Sequence, residues 1–210
     1  MAARSEKSLG LIFGLSAYIL WGLFPLYWPL LKPASAYEIV AHRAVWTLVF
    51  CLIVLAFHRK LRQTVAQLKK PRILFGLLAT AILISINWIV YIWATNAGHV
   101  VEASLGYYIN PLVIIAFGVL LLKEKMRIGQ WVAVGIATVG VAVLTIDYGR
   151  LPWIAIALAL SWGSYGIIKK VLGLGALEGL TIETMLSFIP YATFLLILQS
   201  NGTGQFGRHW

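Results

Sequence analysis

Apolar runs of about twenty residues, separated by short polar or charged segments, follow one another along the chain. A helix of that length rises about 30 Å, the hydrocarbon thickness of a bilayer, so each run predicts a transmembrane helix. Seven are predicted, at residues 9–31, 38–57, 73–95, 101–122, 130–146, 151–168 and 179–198, followed by a polar, glycine-rich tail at 200–210. The fold class is therefore an all-α membrane protein. The first run follows Arg4 and Lys7 and precedes Ala34-Ser35-Ala36, in the manner of a signal peptide. Its apolar part exceeds the about 7 to 15 residues of such a peptide, so an uncleaved first helix is expected.

Lysine and arginine alternate between the two sides of this map. Arg4 and Lys7 precede the first span; Arg59, Lys60, Arg62, Lys69, Lys70 and Arg72 lie between the second and third. Lys123, Lys125 and Arg127 follow the fourth, and Lys169 and Lys170 close the sixth. The other side holds only Lys32, Arg150 and Arg208. Thirteen against three places the N-terminus in the cytoplasm and, with seven crossings, the C-terminus outside. A seven-helix receptor has the opposite orientation. Trp28, Tyr37, Tyr148 and Trp153 fall near span ends, where aromatic rings anchor at the interface.

Composition agrees with the pattern. Hydrophobic residues make up 60% of the chain and charged residues 11%, outside the range of soluble domains. The net charge of +10 does not point to nucleic acid, because the bases sit between apolar runs rather than on one face. Cys51 is the single cysteine, so neither a disulfide framework nor a cysteine metal site is expected.

Candidate chemistry lies where polar residues interrupt apolar helices. In the 102–125 stretch, Asn110 and Pro111 sit far from either interface, and Pro111 crowds the carbonyl of Tyr107. Tyr107 and Asn110 either line a pathway or mark a packing kink in which Asn110 bonds a neighbouring helix. Arg43 would cost about 2.5 to 3.5 kcal/mol near a bilayer centre. It lies five residues into its predicted helix, so it either snorkels to the interface or faces a cavity and pairs with an anion. That anion is a carboxylate of the protein or the substrate. His42 beside it is a candidate for proton coupling or an ordinary hydrogen-bonded residue. Asn87, Tyr91 and Thr95 recur every four residues, a polar stripe expected to turn inward, either as a cavity wall, the favoured reading, or as hydrogen-bonding glue between helices. Glu102, near the outer interface and roughly co-facial with Asn110, either belongs to the pathway or is a solvated carboxylate, which costs little there. Glu183, four residues into the seventh span, is a proton site or a partner for Lys169 or Lys170.

Leu20-Trp21-Gly22 in the first span and Ser161-Trp162-Gly163 in the sixth share a Trp-Gly pair at a spacing of 141 residues. The same spacing sets His42 and Arg43 opposite Glu183 and Thr184. A five-span unit crosses an odd number of times, so its second copy enters from the other side, the inverted repeat of many secondary transporters. Trp21 and Trp162 would then be contacts for an apolar or aromatic substrate, or close-packing residues of the repeat interface. The stretch Glu102-Ala-Ser-Leu-Gly-Tyr-Tyr-Ile-Asn-Pro-Leu112, the closing Leu122-Lys-Glu-Lys125 and the Trp21-Gly22 pair resemble the EamA-type repeat of the drug/metabolite transporter superfamily. Asn87-Trp88-Ile-Val-Tyr91-Ile-Trp93-Ala94 and Leu177-Glu178-Gly179-Leu180-Thr181-Ile182-Glu183-Thr184 resemble its RarD branch, the chloramphenicol-sensitive proteins.

The resemblance implies ten spans in two five-helix repeats. Residues 1–147 would form the first repeat and 148–210 a partial second one of two helices and an external tail. It also implies a permease of the bacterial inner membrane that moves a small metabolite or drug-like molecule by alternating access. A proton is the candidate coupling ion, and a second copy, forming a homodimer, the candidate protein partner. No cofactor or metal is expected, and neither nucleic acid nor ATP: the chain has no phosphate-binding loop ending in Gly-Lys-Ser/Thr. It also has no His-Glu-x-x-His, and Gly163-Ser-Tyr-Gly166 lacks the spacing of a nucleophile elbow, so an enzyme is not expected. The rival reading is a truncated, transport-inactive membrane remnant or scaffold.

Overall fold

The computed structural model describes residues 2–149 and 151–207, with the side chains of residues 2–7 left out. Arg150, Arg208 and the side chains of Arg4 and Lys7, all used in the charge count above, lie outside the described residues. Every regular element among the described residues is helical, and seven helices are long and apolar enough to cross a membrane. They are α1 (Ala2–Tyr27), α2 (Ala36–Phe57), α4 (Pro71–Asn96), α5 (Val100–Leu120), α6 (Ile128–Asp147), α7 (Trp153–Leu172) and α8 (Ala176–Ser200). A short helix, α3 (Leu61–Ala66), lies within the basic segment after α2.

Two compact units divide the chain, Met1–Pro33 and Ala34–Trp210. The first contains α1 and a 3-10 turn, Trp28–Leu31, in which Trp28 stacks on Phe24 at 5.1 Å between ring centroids. The second contains the remaining helices. The expected repeat boundary at 147/148 falls inside this second unit.

Each predicted span coincides with a helix, and the differences at the ends have local causes. Ser35 starts α2 two residues before the predicted span, its hydroxyl accepting from the Glu38 N–H at 3.2 Å as an N-cap. The sixth span was expected to stop at 168, before Lys169 and Lys170; the helix instead continues to Leu172 and ends where Gly173 adopts a left-handed conformation, φ 62°. Lys169 stays helical because its ammonium turns inward to a carboxylate.

In the second unit α7 packs on α4 and α5, while α2 packs on α8 and α4 touches both pairs. Leu55, Leu77, Ile92, Ile154 and Ile182 are fully buried between these helices. Helices α5 and α7 approach closely at two glycines. A Cβ on Gly163 would lie 2.6 Å from Cγ1 of Val113, and one on Gly106 3.1 Å from the Ala155 carbonyl oxygen. Such small residues bring membrane helices together when no hydrophobic driving force exists between them and lipid. Helix α6 contacts α5 and buries no side chain; Ile136, Val139 and Val143 present an apolar surface of the kind lipid covers.

Side-chain pairs establish the helix directions. Lys60 meets Glu178, Lys170 meets Glu124, and Lys169 meets Glu183, which gathers the ends of α2, α5 and α7 with the start of α8. At the other end the starts of α5 and α7 meet through Glu102 and Ile154, and the end of α4 meets the start of α7 through Trp93 and Trp153. Lysines therefore collect at one end of the bundle, hereafter the basic end.

Candidate functional site

Arg43 lies in the third turn of α2, about 10 Å from the end opposite the basic one at 1.5 Å per residue. Its guanidinium carbon stands 3.2 Å over the ring of Trp88, which α4 brings alongside. Trp88 and Tyr91, three apart and therefore on one face of α4, meet edge to face at 6.0 Å. Tyr91 in turn meets Tyr107 of α5 edge to face at 6.1 Å. A cation and three aromatic rings thus connect α2, α4 and α5 at similar depth. Asn110 follows Tyr107 by three residues, and its Oδ1 is buried without a hydrogen-bond partner.

Arg43 itself is incompletely matched. Its Nη1 is buried and makes no hydrogen bond, and among the described residues no carboxylate pairs with it. A desolvated cation–π contact is worth about 2 kcal/mol, whereas removing an ion from water costs several. The ring of Trp88 therefore offsets only part of the cost. Of the alternatives raised by the sequence, pairing with a carboxylate of the protein is not what is found.

The second charged centre is fully matched. Glu183 of α8 is 2% exposed and receives the Thr80 hydroxyl at 2.6 Å, the Lys169 ammonium at 3.1 Å and the Tyr165 hydroxyl at 3.4 Å. Lys169 also sits over the Tyr165 ring at 5.6 Å. Between Lys169 and Lys170 the structure chooses the first; Lys170 bonds Glu124 instead. This centre joins α4, α7 and α8 near the basic end.

Two other acids serve the fold. Of the two alternatives for Glu102, the solvated carboxylate is not what is found: it is 1% exposed. Its carboxylate accepts from the Tyr148 hydroxyl at 2.7 Å and from the Ile154 N–H at 3.0 Å, capping the first turn of α7 with a negative charge where the helix dipole favours one. The start of α7 packs against α5 there, which removes the water that a carboxylate at a span end was assumed to have. Glu38, also buried, accepts from the N–H groups of Gln205 at 2.7 Å and Phe206 at 3.2 Å. The tail after α8 is thereby held on the start of α2, with the Phe206 ring stacked on His42 at 4.4 Å.

The polar stripe of α4 is engaged in packing. Asn87 donates to the Leu158 carbonyl at 3.1 Å and to the Ser161 hydroxyl at 2.9 Å, both on α7, and Thr95 bonds the Tyr91 carbonyl of its own helix. Trp162, half-buried on α7, stacks on Tyr165 at 5.5 Å, one residue from the close-packed Gly163. Trp21 is half-buried on α1, within the first unit. The structure thus unites Arg43, Tyr91 and Tyr107 and places Asn110 one turn further along α5.

Sequence reasoning passed over Trp88, Glu38, Thr80 and Tyr165. Trp88 had a signal, since it precedes Tyr91 by three residues. Thr80 had none, for a hydroxyl in a membrane helix satisfies its own backbone as readily as a distant acid.

The EamA-like transporter family matches residues 8–146. The RarD protein of Streptomyces exfoliatus is 50% identical over 209 residues, which cover all of this chain and 66% of that protein. The uncharacterized transporter YojE of Bacillus subtilis is 46% identical over 94% of this chain and 67% of its own length, and the RarD protein of Escherichia coli 38% over 100% and 70%. The chain spans about two thirds of the length of these curated relatives. No solved structure matches it significantly. Seven apolar helices, family match and relatives together place this multi-pass membrane protein in the EamA-like transporter family, within its RarD-like branch.

Proposed function

We propose that the chain belongs to a secondary transporter of the bacterial inner membrane, which carries a small metabolite or drug-like molecule by alternating access. The observation that carries this reading is Arg43 of α2, a half-buried cation whose buried Nη1 has no acid among the described residues, set against aromatic rings contributed by α4 and α5. Polar groups so placed inside a membrane bundle mark solute pathways by default. The Glu183 centre lies toward the opposite end of α4, Thr80 preceding Trp88 by eight residues or about 12 Å. Two charged centres set against one helix, α4, suit a pathway opened alternately at its two ends, with Glu183 a proton acceptor that releases Lys169 when neutralised. The antiparallel packing of α2 on α8, the pair equated by the inverted repeat, supports a first repeat at 1–147 and a partial second at 148–210. The gathering of lysines at one end supports a cytoplasmic basic end and N-terminus.

The test is uptake into proteoliposomes bathed in a small-molecule extract of bacterial cells, with the captured solutes read by mass spectrometry under an imposed pH gradient. At least one solute should accumulate above protein-free liposomes, and Arg43→Ala at equal protein level should abolish it. Accumulation of none would overturn the reading in favour of a transport-inactive remnant or scaffold.

A further inference from the structure

Among the described residues, the acids that could neutralise Arg43 are accounted for one by one. Glu38, five residues before it on the same helix, is held by the N–H groups of Gln205 and Phe206. Glu102 is held by Tyr148 and the start of α7, and Glu183 by Lys169, Thr80 and Tyr165. Glu124 and Glu178 pair with Lys170 and Lys60 at the basic end, away from Arg43. Asp147, exposed at the end of α6, makes no ion pair. The described bundle therefore contains a desolvated guanidinium whose every nearby candidate acid is already engaged. Ordinary packing cannot make up the deficit, because burying one charge without its opposite is among the costliest arrangements a protein tolerates.

We infer that the solute itself supplies the missing charge: the site of Arg43 takes a small organic anion, its carboxylate paired with Nη1 while the guanidinium rests on Trp88. This deepens the transporter reading and rests on it. Guanidinium is suited to the role. It keeps its charge when desolvated, its planar face stays on the indole, and its N–H groups remain directed at a planar carboxylate. An oxyanion at this depth could come from two sources, a soluble carboxylate or a lipid phosphate; the soluble one is our assignment, since Nη1 is buried and the guanidinium lies against Trp88 of the neighbouring helix, about 10 Å along α2 from its end.

The experiment uses the whole chain in nanodiscs of phosphatidylcholine, with and without phosphatidylglycerol. Acetate, benzoate and citrate are each compared with the neutral amide of the same shape, and binding is read from the thermal unfolding midpoint and tryptophan fluorescence. At least one carboxylate should bind more tightly than its amide by about tenfold or more, the scale of one charge-assisted hydrogen bond. Arg43→Gln should erase the preference, Arg43→Lys retain part of it, and Lys125→Gln, at an exposed cation, leave it unchanged. Equal binding of all acids and amides, including no binding of either, would overturn the inference, as would a preference that survives Arg43→Gln. Loss of the preference on adding phosphatidylglycerol, restored by omitting that lipid, would assign the charge to lipid and overturn it too. If Arg43→Gln does not fold, the wild-type comparison of acid with amide still decides. Failure here leaves solute accumulation in the liposome assay standing, whereas absence of accumulation sinks the transporter reading even if benzoate binds.

Discussion

Arg43 and Glu183 are both ionisable groups inside apolar helices, and the bundle treats them in opposite ways. Glu183 receives an ammonium and two hydroxyls from two other helices, so its charge is compensated and its acceptors are filled. Arg43 has one aromatic face and a nitrogen without an acceptor. A completed centre holds helices together in one arrangement. An incomplete one keeps the capacity to gain free energy from something that arrives later, which is what a transport site requires.

The contrast can be broken by removing one member of each centre. Lys169→Ala leaves Glu183 as an uncompensated buried charge and should lower unfolding free energy by about 3 to 5 kcal/mol. Denaturation in mixed micelles reads this, and combining it with Glu183→Leu should recover most of the loss. Glu102→Ala removes the carboxylate that caps α7 and should cost about 2 to 3 kcal/mol in the same assay. Gly163→Ala pushes a methyl toward Val113 and should cost about 1 to 3 kcal/mol, with weakened α5–α7 packing visible as faster amide exchange in both helices. Arg43→Met should not destabilise at all and should raise unfolding free energy by about 1 to 2 kcal/mol, because the relieved desolvation exceeds the lost cation–π contact. Yet it should abolish solute accumulation, as should Asn110→Leu. A loss of 3 kcal/mol or more on Arg43→Met would mean that Arg43 is as structural as Lys169, and the distinction between the two centres would disappear.

Span positions were legible because lipid imposes a length and an apolar composition on any helix that crosses it. The identity of Arg43, Tyr91, Tyr107 and Asn110 as candidates was legible for the same reason, since polar groups stand out in such helices. Their grouping was not. Trp88 becomes the platform for Arg43 only when α2 lies beside α4, and Asn87 takes the interhelical-bond alternative rather than the cavity wall once α7 is in place. The solvated alternative for Glu102 rested on its place near a span end, where α7 is found instead of water.

What the amino-acid order determined alone was the number of crossings, the alternation of basic loops and the list of polar intrusions, all consequences of local solvation by lipid or water. Only the tertiary structure decided which charges find partners. Ion pairing acts over a few ångströms in space between helices far apart along the chain, and no local pattern records that Glu183 meets Thr80 and Lys169 while Arg43 meets only a ring.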